Sequence, residues 1–172
     1  MGHHGTVHLT APFRRRRDGR YVVKLDPGVR AVLATLSQQL IPTLDADDPM
    51  NRRLFPPAYP DAGQAQEERE YRNLVDGALV NHHRQAFAVL AETARSETLS
   101  EVEIHAWLSS IGSMRLVIGT RLDVSEGMAE PAPDDPAAPE YALYELLGQL
   151  QFLIVEVLAA GLPPEGRPDR IL

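Results

Sequence analysis

The strongest chemical feature of the sequence is a cluster of cations near its start. Four arginines run from Arg14 to Arg17, and Arg20 and Lys24 follow. Guanidinium groups bind carboxylates and phosphates through paired N–H donors. The cluster therefore suits an acidic protein surface or a nucleic-acid backbone, and it suits equally well the carboxylates of its own chain.

The charge is unevenly distributed along the 172 residues. Residues 1–30 carry seven basic and two acidic side chains, a net +5, whereas the remainder carries ten basic and twenty-two acidic side chains, a net −12. This asymmetry favours an acidic protein partner for the basic end, or an intramolecular contact with the acidic body. Direct DNA binding is less favoured, because we find no helix-turn-helix spacing and the body would repel phosphates.

Histidines and carboxylates are the other groups whose spacing could support chemistry. His82 and His83 are adjacent in a predicted helix, so their side chains diverge by about 100° and cannot easily face one metal. We expect His82 on the apolar face as a hydrogen-bonded core histidine. Glu101, Glu103 and His105 lack the spacing of helical metal ligands. We therefore predict no metal site and no cofactor.

Catalytic motifs are missing from the sequence. It has no glycine-rich phosphate loop, nucleophile elbow, paired-carboxylate motif or Cys/His dyad. It contains no cysteine, which excludes disulfides and thiolate metal sites. Gly2-His3-His4 would bind copper only if Met1 were removed, and we expect a disordered terminus there. A non-enzymatic protein is expected, with an enzyme assembled from distant residues as the alternative.

A β-hairpin over residues 6–25 would position the cations. Its strands are predicted at 6–13 and 20–25. A three-residue loop with Gly19 in the left-handed conformation pairs Phe13 with Val23 and gathers the apolar side chains on one face. The other face then carries Pro12, which indicates an edge strand, and the basic side chains Arg14, Arg16, Arg20 and Lys24.

Helical patterns dominate residues 26–162. Asp26 and Ser100 are predicted N-caps, the latter in a capping box with Glu103. The predicted helices span 26–41, 48–55, 66–93, 101–122 and 140–160. An acidic, proline-rich loop at 123–139 is expected to be mobile and the tail 163–172 disordered. We expect the glycines Gly112 and Gly119 to allow close approach of another helix backbone.

These elements predict a single domain over 1–172 that is mainly α, a bundle of four to five helices preceded by a β-hairpin. No run of 18 apolar residues and no secretory signal are present, so we expect a cytoplasmic protein without membrane association. The sequence does not distinguish a monomer from a homodimer.

The candidate partner-binding residues are Arg14, Arg16, Arg20, Lys24 and Tyr21. The four cations would attract an acidic surface, and an apolar side chain must supply specificity. Tyr21, Phe55 and Tyr59 are the candidates for that anchor.

Four strings in order resemble an actinobacterial family of proteins with a domain of unknown function, which includes a mycobacterial regulator of the oxidative-stress response. The resemblance covers about residues 13–160. The strings are FRRRRDGRYVVKL at 13–25, RLFPPAYP at 53–60, WLSSIGSMRLVIGTRL at 107–122 and YELLGQLQ at 144–151.

The resemblance implies a bacterial cytoplasmic regulator that acts with a sigma factor or RNA polymerase to control cysteine biosynthesis under oxidative stress. It also implies oxidant sensing through a cysteine pair, which this chain cannot perform because it has no cysteine. The family's gene neighbourhoods suggest an alternative role as an accessory factor in regulated proteolysis or sulfur-carrier metabolism. The resemblance defines no catalytic residues.

Overall fold

The computed structural model describes residues 11–161. Four helices pack beside a small antiparallel sheet, and 63% of the structure is helical, which confirms the mainly α fold. The predicted hairpin residues 6–10, the terminal histidines and the tail 163–172 lie outside the described residues. The elements in chain order are β1 (Phe13–Arg15), β2 (Tyr21–Val23), α1 (Pro27–Leu40), α2 (Ala65–Thr93), β3 (Thr98–Leu99), α3 (Glu101–Arg121) and α4 (Ala138–Ala159).

The hairpin has the predicted register, but the strand bounds differ: β1 extends past residue 13 to Arg15, and β2 is shorter than the predicted 20–25. Phe13 pairs with Val23 across β1 and β2, and Gly19 takes φ +83° in the connecting loop, a conformation that suits glycine. The sheet has a third strand that the sequence did not predict, because β3 is only two residues long and pairs with β2 in the order β1-β2-β3. The hairpin is thereby joined to the start of α3.

Two helix starts are formed as predicted. The Asp26 side chain accepts a hydrogen bond from the Gly28 N–H at 2.7 Å. At α3, the Glu103 N–H donates to Ser100 Oγ, while the Ser100 N–H donates to Glu103 Oε2 at 2.6 Å. These bonds satisfy amide groups that have no partner inside the helix.

The core lies between the inner face of the sheet and the four helices. Phe13, Tyr21 and Val23 are buried together with Trp107 of α3, whose ring meets Phe13 edge to face at 6.4 Å. Trp107 is fully buried, and its indole Nε1 donates to Thr93 Oγ1 at 2.8 Å. The polar atom of the largest core side chain is therefore satisfied.

The prediction that His82 lies on the apolar, inward-facing side of α2 is wrong, because that side is displaced from the predicted one. Leu74 is 82% exposed and His82 is exposed, whereas His83 is half-buried and points toward α3. The side of α2 that faces the rest of the protein includes Arg72, which forms ion pairs with Asp47 and Glu68. Apolar periodicity misplaced this face by about one residue because part of it is polar.

The segment between α1 and α2 holds less helix than expected. Of the predicted helix at 48–55, only a 3-10 turn over Pro49–Asn51 forms, with Asp48 capping the Met50 N–H at 2.8 Å. The Asn51 side chain donates to the Thr43 and Asp45 carbonyls at 2.8 and 3.0 Å, which holds the segment in a compact loop.

Pro12 and the two α3 glycines also differ from expectation. β1 is an edge strand as predicted, but Pro12 is buried, and Ala11 leaves the strand at φ +42°. Gly112 and Gly119 meet side chains rather than a helix backbone: a Cβ on Gly119 would lie 3.1 Å from atoms of Tyr144 and of Arg53.

Helix α4 packs at one side of the bundle, against α3 and β1. It is long and apolar enough by composition to cross a membrane, and little of it is buried. Core helices of soluble proteins meet the same criterion, so this is weak evidence for a membrane span. One face of α4 packs on α3 and β1, and much of its apolar surface faces outward.

Candidate partner-binding surface

The outer face of the sheet carries the predicted basic residues. Arg14 lies opposite Val22, which lies opposite Thr98, so these three side chains form one row across the sheet. Arg14 and Lys24 are exposed, and neither forms an ion pair with any residue in the range 11–161. Both cations are directed to solvent and are available to an external anion.

The other two predicted cations have intramolecular partners. Arg20 donates to Thr98 Oγ1 at 3.1 Å and to the Thr98 carbonyl at 3.3 Å, and it lies 4.0 Å from Glu103 Oε2. Arg16 pairs with Asp18 at 3.3 Å inside the hairpin loop. Arg20 thus ties the hairpin to the start of α3. All four predicted cations are exposed, and within residues 11–161 two of them have an acidic partner and two have none.

Tyr21 is a core residue rather than a surface anchor. It is 2% exposed and lies between Arg15 and Leu99 on the inner row of the sheet. Phe55 is buried as well, whereas Tyr59 is exposed and stacks edge to face on Tyr71 at 6.3 Å. An apolar anchor for a partner must therefore come from another part of the surface.

Such a surface lies where the hairpin, α3 and α4 meet. A cleft of about 310 Å³ opens there, with Arg15 at the hairpin rim, Glu101 and His105 at the α3 rim, and an apolar wall of Leu108, Val155 and Leu158. Arg15 donates to the Gly161 carbonyl at 3.5 Å, a long contact. The outer side of α4 extends the wall through Phe152, which is 61% exposed, and Val155, which is 45% exposed.

Sequence reasoning did not identify this cleft. Its residues come from three separate segments, and Tyr21, which lines the cleft although it is almost fully buried, is the one lining residue that was among the predicted partner-binding residues. The strand register, which places Arg15 on the opposite face from Arg14 and Arg16, was the one signal that could have set Arg15 apart.

Arg30 stabilises the fold through hydrogen bonds to backbone carbonyls. Arg30 donates to the carbonyls of Val23, Leu25, Ala94 and Ser96 at 2.7 to 3.2 Å, which ties the hairpin and α1 to the end of α2. No local pattern of residues had indicated this role for Arg30.

Two further arginines, Arg53 and Arg115, lie near the C-terminal half of α3. Arg53 donates to the Val124 carbonyl at 2.9 Å, and Arg115 stacks on the Tyr144 ring at 4.5 Å. The Arg115 side chain lies over Gly148, where a Cβ would be 3.0 Å from Nε. Three of the strings that carry the family resemblance therefore meet here.

The adjacent histidines both lie near serines of α3. Ser113 Oγ lies 2.8 Å from the Ser109 carbonyl and 3.1 Å from His83 Nδ1. The carbonyl can only accept, so it competes with His83 for the single hydroxyl proton of Ser113. Burial, and then the neighbouring His82, lower the pKa of His83. Within residues 11–161, no three metal-binding side chains come together.

Comparison with known proteins identifies the family. A family profile described as "Domain of unknown function (DUF2017)" matches residues 10–158, which is most of the chain. No curated protein and no solved structure shows significant similarity to it. The match does not itself assign an activity or a partner. The chain belongs to the DUF2017 family, whose function is unknown.

Proposed function

We propose that this protein is a non-enzymatic regulatory protein of the bacterial cytoplasm that acts by binding an acidic protein surface through the outer face of its hairpin. The observation that carries the proposal is the exposure of Arg14 and Lys24, which have no acidic partner in the described part of the chain. Arg20 and Arg30, by contrast, are committed to the fold.

Two exposed ion pairs set the size of the expected effect. Each contributes about 0.2–1 kcal/mol, so Arg14 and Lys24 together account for roughly a twofold to thirtyfold change in affinity. This contribution is electrostatic and weakens as salt screens the charges. It increases the rate of association and helps to orient the partner, while contacts elsewhere supply specificity.

The partner that the family resemblance favours is the transcription machinery, a sigma factor or RNA polymerase itself. A chain without cysteine cannot sense oxidants by thiol chemistry. In this proposal the protein is the binding component of a response, and any oxidant sensing resides in a partner.

The test reverses the two exposed cations. Arg14→Glu with Lys24→Glu is compared with the wild type in pull-downs from native lysate and in binding to purified RNA polymerase with and without sigma factor. The matched control is Arg69→Glu with Arg84→Glu, which changes the net charge equally at exposed positions of α2. Thermal melting of all three proteins checks that they are folded.

We expect the hairpin variant to melt like the wild type and to lose salt-sensitive binding that the control keeps. Equal binding by the hairpin variant and the control would contradict the proposal. A mobility-shift assay with duplex DNA separates the competing target: tight binding to DNA that depends on Arg14 and Lys24 would replace the protein partner by nucleic acid.

A further inference from the structure

The cleft between the hairpin, α3 and α4 is an apolar site on the inner side of the hairpin, on the opposite side of the sheet from the face that carries Arg14 and Lys24. Leu108, Val155 and Leu158 form its wall, and Arg15 stands at the rim nearest the hairpin. Its volume of about 310 Å³ is at the small end of the range for ligand pockets, about 300–1,000 Å³. The cleft has room for one or two bulky side chains rather than a large cofactor.

We propose that this cleft receives a bulky apolar side chain from an acidic segment of a partner protein. The inference rests on the proposed function and makes it more specific, because it names the anchor that the exposed cations cannot provide. Interfaces gain most of their affinity from a few apolar side chains in desolvated pockets, surrounded by polar contacts.

The charges at the rims determine how such a segment would lie. The hairpin rim carries Arg15, which continues into the exposed cations of the loop, whereas the α3 rim carries Glu101. Acidic residues of the segment would point toward the hairpin, and neutral or basic residues would face Glu101. This polarity gives the partner one favoured direction.

The exposed face of α4 supports the same site. Phe152 and Val155 are one turn apart on the helix, and both are largely accessible to solvent. Val155 lines the cleft, so the apolar surface is continuous from the cleft to Phe152. Exposed, contiguous apolar surface beside a charged patch is typical of a protein-binding site.

The experiment selects binders from a phage-displayed library of random 12-residue peptides on the wild-type chain. Affinities of the enriched peptides are then measured by fluorescence anisotropy. Val155→Glu places a charge in the cleft wall, and Ala159→Trp fills the cleft without adding charge. Leu74→Glu on α2 is the control, since Leu74 is 82% exposed and lies outside the cleft.

We expect enriched peptides to combine acidic residues with a bulky apolar residue. Val155→Glu and Ala159→Trp should each weaken them tenfold or more, whereas Leu74→Glu should leave their affinity within twofold. Replacing the apolar residue of a peptide by alanine should have the same effect as the cleft variants.

Other outcomes overturn the inference. It is contradicted if the enriched peptides lack an apolar residue, or if no peptide is enriched. It is also contradicted if both cleft variants bind the peptides with unchanged affinity. If Arg14→Glu with Lys24→Glu weakens peptide binding and the cleft variants do not, the proposed function stands and the cleft proposal fails. If the cleft variants weaken peptide binding and the charge reversal does not, the cleft proposal stands and the role of the basic face fails. A wild-type dimer that Val155→Glu converts to a monomer would assign the face to self-association.

Discussion

Helices α3 and α4 are nearly equal in length but differ in how much of their surface is covered. Ten of the 21 residues of α3 are buried, against three of the 22 residues of α4. Nevertheless, among the helices described, α4 is the one whose length and apolar composition would suffice to cross a membrane. Position in the bundle, rather than apolar content, decides which helix forms the core.

The difference is informative because α3 is surrounded and α4 is not. The sheet, α2 and α4 all pack against α3, so even small polar residues such as Ser113 and Thr120 are buried there. On α4, Leu146, Leu153 and Val157 are only partly buried against the core, and Phe152 and Val155 are exposed. Exposed apolar surface of this kind is typical of partner-binding sites, and α4 carries it at Phe152 and Val155.

The largest effect is expected from the centre of α3. Trp107→Ala should lower the free energy of unfolding by about 3–5 kcal/mol, because it removes a fully buried ring and leaves Thr93 Oγ1 without its donor. Urea denaturation measures the change. Phe152→Ala, which truncates an exposed aromatic of α4, should stay within about 0.5 kcal/mol. Similar losses for both would mean that the two helices are equally covered.

The sequence predicted those parts of the fold that depend on neighbouring residues. The loop at Gly19, the cap at Asp26 and the capping box at Ser100 involve contacts only a few residues apart. Their chemistry is specific enough to be recognised without knowing the tertiary structure.

The remaining features depend on contacts between distant segments. The orientation of His83 rather than His82 toward α3, the bonds of Arg30 to four carbonyls, and the cleft at Arg15 are all set by packing. Apolar periodicity does not identify an inward-facing cation or histidine, because their polar atoms find partners only after folding. The alternation along β2 places Tyr21 on the same face as Val23 and away from the cations, and the structure buries it there.

The helix starts provide the second contrast between α3 and α4. Ser100 caps α3 through its side chain, whereas no side chain caps α4. Ser100→Ala should therefore cost about 1 kcal/mol, within a range of about 0.5–2. The matched control is Ser125→Ala, at an exposed position of the loop between the helices. Equal stability of the two variants in urea would show that the capping box does not stabilise α3.

A pH-dependent effect should arise where α2 packs on α3. Burial lowers the pKa of His83 in the folded chain below its ordinary value of 6.5, so the unfolded chain takes up a proton more readily. The free energy of unfolding should therefore be at its full value above pH 6.5 and fall as the pH is lowered below it. His83→Gln should reduce this slope, measured by denaturation at a series of pH values, relative to the exposed control His105→Gln. A slope unchanged by His83→Gln would show that other groups cause it.

The smallest change in stability is expected on the outer face of α4, and it is the sharpest test of the comparison. Phe152→Gln with Val155→Gln replaces two exposed apolar side chains by polar ones of good helix propensity, so the free energy of unfolding should change by no more than about 0.5 kcal/mol. Binding of a hydrophobic dye such as anilinonaphthalene sulfonate should fall in the folded protein, because the variant removes the apolar surface that α4 exposes beside the cleft. Gln149, also exposed on α4, supplies the control through Gln149→Ala, which should leave dye binding unchanged. A large loss of stability in the double variant would mean that this face is already covered in solution, and the contrast between a surrounded α3 and an open α4 would then fail.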